Sequence, residues 1–117
     1  MPGLQAIIHV EVRGESGWEE VEAAIDTGFS GFLALPASIV ARLDLEPRSE
    51  TQIRLADGSD VSLRVHRAVV LWNREERTIE VLQADSGPLL GMALLHGSEV
   101  KMQVVNGGGV TIETLRP

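Results

Sequence analysis

One carboxylate in this sequence is set where it could do chemistry. The stretch Ala23-Ala24-Ile25-Asp26-Thr27-Gly28-Phe29-Ser30-Gly31-Phe32-Leu33-Ala34-Leu35-Pro36 puts Asp26 at the end of one apolar run and shortly before another. An ionised carboxylate is costly to bury without partners. A run of Ala, Ala and Ile that ends in Asp therefore predicts a side chain held rigidly from behind and presented to something arriving from outside. Thr27 adds a hydroxyl, and Gly28 lets backbone come close, in a tight turn between two β-rich runs. A carboxylate so placed can act as a base that activates water or as an acid that protonates a leaving group. The same three residues also suit an ordinary Asx turn with no chemistry at all.

Other candidate chemistries fit less well. His9, His66 and His96 are far apart in sequence and read as strand or helix surface rather than as a metal site. Asp57-Gly58-Ser59-Asp60 lacks the ligand count of a calcium loop. Gly28-Phe29-Ser30-Gly31-Phe32 comes near a nucleophile elbow, but Phe32 stands where that pattern needs Gly, and no helix of useful length follows directly. Gly107–Gly109 falls inside an expected hairpin, not between a strand and a helix, so it is not a phosphate cradle. No metal and no cofactor are expected. The acidic residues of Trp18–Glu22 and Arg74–Glu80 read as solvated strand faces.

The elements that must position Asp26 follow from periodicity. Leu4–Arg13 alternates, with Leu4, Ala6, Ile8, Val10 and Val12 on one face. Gly14–Gly17 reads as a turn, and Trp18–Ile25 alternates again with Val21, Ala23 and Ile25 inward, so this pair is expected to form a hairpin that delivers Asp26. Pro36–Leu45 changes period: Pro36 suits a first helical turn, and Ile39, Val40 and Leu43 form a helical stripe, which Glu46–Ser49 would end. Thr51–Ala56, with Ile53 and Leu55 on one face, leads to the hairpin signal Asp57-Gly58, and Val61, Leu63 and Val65 continue beyond it. The phase slips near His66-Arg67, where a bulge or bend is expected. Asn73–Glu76 reads as a turn and Thr78–Leu82 as a strand. Pro88–Leu95 is apolar and should be buried, with Gly91 marking a close approach or the start of a short helix that Gly97 ends. Val100–Val105 and Val110–Leu115 complete a last hairpin. Many short strands with one or two short helices predict an all-β barrel or sandwich.

Composition bounds the function. The chain has 117 residues, which suggests one domain over 1–117. Its net charge of −7 disfavours nucleic acid as a partner, because phosphate binding wants a basic face. No apolar stretch approaches the length of a membrane span, and Met1-Pro2-Gly3-Leu4-Gln5 does not read as a signal peptide. With no cysteine, a disulfide framework or thiolate metal site is impossible, and a cytoplasmic protein is expected.

Three features in order resemble the retropepsin-like (retroviral-type) aspartic proteases, and in particular their small single-domain bacterial relatives. Ala24-Ile25-Asp26-Thr27-Gly28 is similar to the hydrophobic-hydrophobic-Asp-Thr-Gly catalytic signature. Leu89-Leu90-Gly91 lies where that family has its hydrophobic-hydrophobic-Gly motif, followed by a short helix. The Asp57-Gly58 hairpin lies midway between them, where the family has its flap. The resemblance runs from about Leu4 to Leu115.

It implies an all-β acid-protease barrel, active as a homodimer, because the chemistry needs two carboxylates and this chain has one motif. Two like charges that close share a proton, so one serves as base and the other as acid, with a mildly acidic optimum. By resemblance, Asp26, Thr27 and Gly28 are the catalytic residues. Phe29 and Ser30, with Ala56, Asp57, Gly58 and Ser59 of the flap, would bind an extended peptide or protein substrate by strand addition. Leu89, Leu90 and Gly91 would support the site from behind. The chain departs from the retroviral pattern at Phe29-Ser30, where those enzymes carry Ala and an acidic residue. It also lacks any Tyr for a pepsin-like flap, and the Pro36–Leu45 helix is an insertion. A non-catalytic β-barrel dimer that binds peptides or serves assembly is the alternative.

Overall fold

A computed structural model of the chain describes residues 5–54 and 56–115. Leu4 and Leu55, both placed on strands by the alternation, lie outside the described residues. The first alternating stretches form β1 (Ile7–Gly14) and β2 (Gly17–Ile25), paired antiparallel from Ile7↔Ala24 to Gly14↔Gly17. Their inward positions, Val10, Val12, Val21 and Ala23, are buried. The turn between them, Glu15-Ser16, docks on the next helix: Glu15 N–H donates to the Asp44 carbonyl and Ser16 N–H to that of Leu43. Gly14 is required there by space, since a Cβ would lie 2.1 Å from the Leu43 carbonyl oxygen.

β3 (Leu33–Leu35) is wholly buried and leads through Pro36 into α1 (Ala37–Leu43). The helix is shorter than Pro36–Leu45. Pro36 caps it, and Asp44, in the left-handed region at φ 53°, ends it. Glu46–Ser49 is not the stop but the start of β4 (Glu46–Arg54). Pro47 is tolerated there because β4 is an edge strand.

β5 (Asp60–Trp72) is one strand of 13 residues. Its apparent slip in phase has a different origin from a bulge in the strand itself. Val65 and His66 are both buried although they point to opposite faces. Below them the strand belongs to a hairpin with β4; above them it belongs to the barrel, where His66, Ala68, Val70 and Trp72 face inward. The bulge sits on the partner strand, between Pro47 and Ser49. The turn to β6 (Glu75–Gln83) is Asn73-Arg74, both at positive φ, so β6 starts three residues earlier than the alternation implied.

β7 (Leu89–Leu90) and α2 (Met92–Leu95) follow, then β8 (Ser98–Met102) and β9 (Val110–Thr114), which form a separate two-stranded sheet. β8 stops at Met102, short of Val105. The main sheet runs β1-β2-β7-β3-β6-β5-β4, and β5 also pairs with β1, which closes the barrel. β7 is wedged parallel to β2 and antiparallel to β3, while β3 runs parallel to β6. The core is aliphatic, built on Leu33, Leu35, Leu90, Leu94, Val12, Val70 and Val81, with Trp72 its large aromatic member. No described helix is long and apolar enough to cross a membrane.

Candidate active site

Asp26 follows the last residue of β2 at the point where β7 lies alongside. Ile25 N–H donates to the Ala6 carbonyl at 2.8 Å, and Asp26 N–H donates to the Leu90 carbonyl at 2.9 Å, so the backbone on both sides of the carboxylate is fixed to the barrel. The turn then closes on itself. Gly28 N–H donates to Asp26 Oδ1 at 2.9 Å, and Phe29 N–H donates to the Asp26 carbonyl at 3.1 Å. A backbone donor of this kind orients the carboxylate. Asp26 is half-buried, whereas Thr27 and Gly28 are exposed.

The loop is braced from behind by the second motif. Gly91 N–H donates to the Phe32 carbonyl at 3.0 Å, Met92 N–H to that of Phe29 at 2.8 Å and Ala93 N–H to that of Gly31 at 3.1 Å. The first amides of α2, which no helical carbonyl can satisfy, thus hold the loop that carries Asp26. Gly91 has φ −106°, which any residue adopts, so glycine is needed for room: a Cβ would meet the Gly31 carbonyl oxygen at 2.2 Å. Both readings of Gly91 therefore hold, as a close approach and as the start of a short helix.

A groove of about 700 Å³ runs from this loop. Residues 28–33 and Ala93 border it on one side, Ser49, Glu50, Thr51 and Val65 on another, and Glu80 and Leu82 come from β6. It gathers Gly28, Phe29 and Ser30 from the expected set. It does not gather Asp26 and Thr27, which immediately precede Gly28, nor Ala56, Asp57, Gly58 and Ser59, which are exposed at the tip of the β4–β5 hairpin. That tip is ordered locally. The Ser59 hydroxyl and then its amide donate to Asp57 and hold the carboxyl below the usual range, while Gly58 takes φ +87°.

Val65, Glu80 and Leu82 escape sequence reading. Their alternation marks a face, but only the parallel pairing of β3 with β6 brings that face to the Asp26 loop. Glu80 is exposed, as expected of a solvated strand face, and it also borders the groove. His66 is buried, not on a surface, with Nε2 at 3.0 Å from Gln83 Oε1. His9 is exposed and its pKa is raised, first by the hydrogen bond to Glu20 and then by the charges of Glu20 and Glu22.

No protein-family model and no curated protein matches the chain. Solved structures do. The EIAV protease complexed with the inhibitor HBY-793 superposes with a TM-score of 0.59 at 18% identity, over 78% of this chain and 85% of that one. The solution structure of Simian Foamy Virus (mac) protease superposes with a TM-score of 0.57, also at 18% identity, over 76% of this chain and 90% of that one. At such identity the likeness shows the fold: this chain has the retropepsin-like all-β fold of retroviral proteases.

Proposed function

We propose that two copies of this chain form an aspartic endopeptidase, with Asp26 and the partner subunit's Asp26 as the catalytic pair. The observation that carries this reading is the bracing of one half-buried carboxylate, by Gly28 in front and Leu90 behind, on a loop whose next residues, 28–33, border the groove. In the proposed reaction one Asp26 carboxylate takes a proton from water, and the water oxygen attacks the peptide carbonyl carbon. The other carboxyl gives its proton to the carbonyl oxygen. The tetrahedral diol then collapses, the C–N bond breaks, and the amine leaves with a proton returned by the pair. No covalent intermediate and no metal enter these steps.

The second copy is supported by what is left uncovered. Thr27 and Gly28 are exposed, and Met102, Val104 and Val105 are 43%, 67% and 61% exposed. These three line a small cleft with Gln5 and Ala6, and the Ala6 carbonyl is bonded to the amide just before Asp26. Apolar side chains clustered beside the site are the surface a partner copy would cover. The test is peptide cleavage by the wild-type chain and by Asp26→Asn. Cleavage abolished by the substitution supports the enzyme. Peptide binding that survives in both, with no cleavage in either, supports a non-catalytic binding module, which the position of the flap tip outside the groove favours.

A further inference from the structure

Of the two charged residues that border the groove, Glu50 and Glu80, one lies on its own face. Glu80 and Leu82 are two apart on β6 and so point the same way. Val65 is the cross-strand partner of Leu82, and Ser49 that of Val65, so all share this face. Glu50 borders the groove but falls on the opposite face of β4, opposite Arg64, and accepts a hydrogen bond from the Ser62 hydroxyl. Among the described residues no ion pair within 4 Å engages Glu80. Arg67, its cross-strand neighbour, does not line the groove.

We propose that the groove takes a basic side chain, Lys or Arg, from an extended peptide, with Glu80 as the residue that selects it. This rests on reading the groove as a peptide-binding cleft. The aliphatic stem of Lys or Arg lies along Val65, Leu82 and Phe32, and the charged head meets the Glu80 carboxylate. The Phe32 ring is compatible with such a ligand, since the Arg77 guanidinium already lies 5.9 Å from its centroid. Arg67 and Arg77 add positive charge nearby and weaken the attraction, and Glu80 itself is exposed. The effect is therefore a preference and not an absolute requirement.

The test uses fluorescein-labelled octapeptides that vary one position at a time, bound to the full Asp26→Asn chain and followed by anisotropy. At one peptide position Lys or Arg should bind roughly fivefold or more tighter than Gln. Glu80→Gln should remove the preference, and Glu80→Lys should turn it toward Glu. Glu75→Gln, the same charge change on the same strand outside the groove, should leave it intact. Equal effects of Glu80→Gln and Glu75→Gln would mean a general response to net charge and would overturn the proposal, as would the absence of a basic preference. A basic preference without cleavage by the wild-type chain would sink the protease reading and leave this subsite standing, while cleavage without the preference would do the reverse.

Discussion

Replacing Gly91 with alanine tests whether the second motif holds the first. The new Cβ would lie 2.2 Å from the Gly31 carbonyl oxygen, 2.6 Å from the Phe29 ring and 2.8 Å from the Phe29 carbonyl oxygen. Two of these neighbours are backbone, so no rotamer change relieves the contact. The loop and α2 must part, and the bonds from Gly91, Met92 and Ala93 to the carbonyls of Phe32, Phe29 and Gly31 lengthen. A buried hydrogen bond is worth about 0.5–1.5 kcal/mol net, and forced overpacking costs about 1–3 kcal/mol. Gly91→Ala should therefore lose about 2–4 kcal/mol, a large share of the stability typical of a domain this size. Urea unfolding followed by tryptophan fluorescence measures it, because Trp72 is buried and Trp18 is not. Gly87→Ala is the control: a Cβ there meets nothing within 4 Å, so its effect should stay within about 0.5 kcal/mol. If Gly91→Ala unfolds at the same urea concentration as Gly87→Ala, the bracing of the Asp26 loop by β7 and α2 is refuted.

Three further outcomes are expected. Asp26→Asn should lower peptide cleavage by about 10²–10⁴-fold or more while leaving the unfolding curve nearly unchanged, since the amide oxygen can still accept from Gly28 N–H. The double change Val104→Asp, Val105→Asp should prevent self-association in sedimentation without lowering chain stability, because both side chains are exposed. The Arg42 guanidinium, bonded to Glu19, holds that carboxyl below its usual value and ties α1 to β2. Its contribution is thus present above the ordinary carboxylate range and lost as pH falls through the lowered value, so the stability gap between wild type and Glu19→Gln should close on acidification.

Much of this architecture is legible in the residues. Val10, Val12, Val21 and Ala23 alternate because one face of the first hairpin is buried, and they give its register directly. Asp57-Gly58 marks the hairpin between β4 and β5, and of the apolar Pro88–Leu95 run Leu90, Leu94 and Leu95 are buried as expected whereas Met92 is exposed. What escapes reading is long-range. A period of two reports one buried face per strand, whereas β5 buries Val65 on one side and His66 on the other as it passes from hairpin to barrel. Pro47 reads as a stop because it cannot donate a ladder bond, yet an edge strand has no use for that donor. The Asp26 turn is visible as a sequence, but the groove is not. Glu80 and Val65 reach it only through the β3–β6 and β5–β6 pairings, which no local pattern encodes.

The central claim is that one working site needs Asp26 from two chains, and subunit mixing tests it most directly. Wild-type and Asp26→Asn chains, unfolded together at varied ratios and refolded, should give peptide-cleaving activity that falls as the square of the wild-type fraction, because mixed dimers carry a single Asp26. Activity that falls in simple proportion to the wild-type fraction would mean that each chain carries a complete site, and would contradict the account.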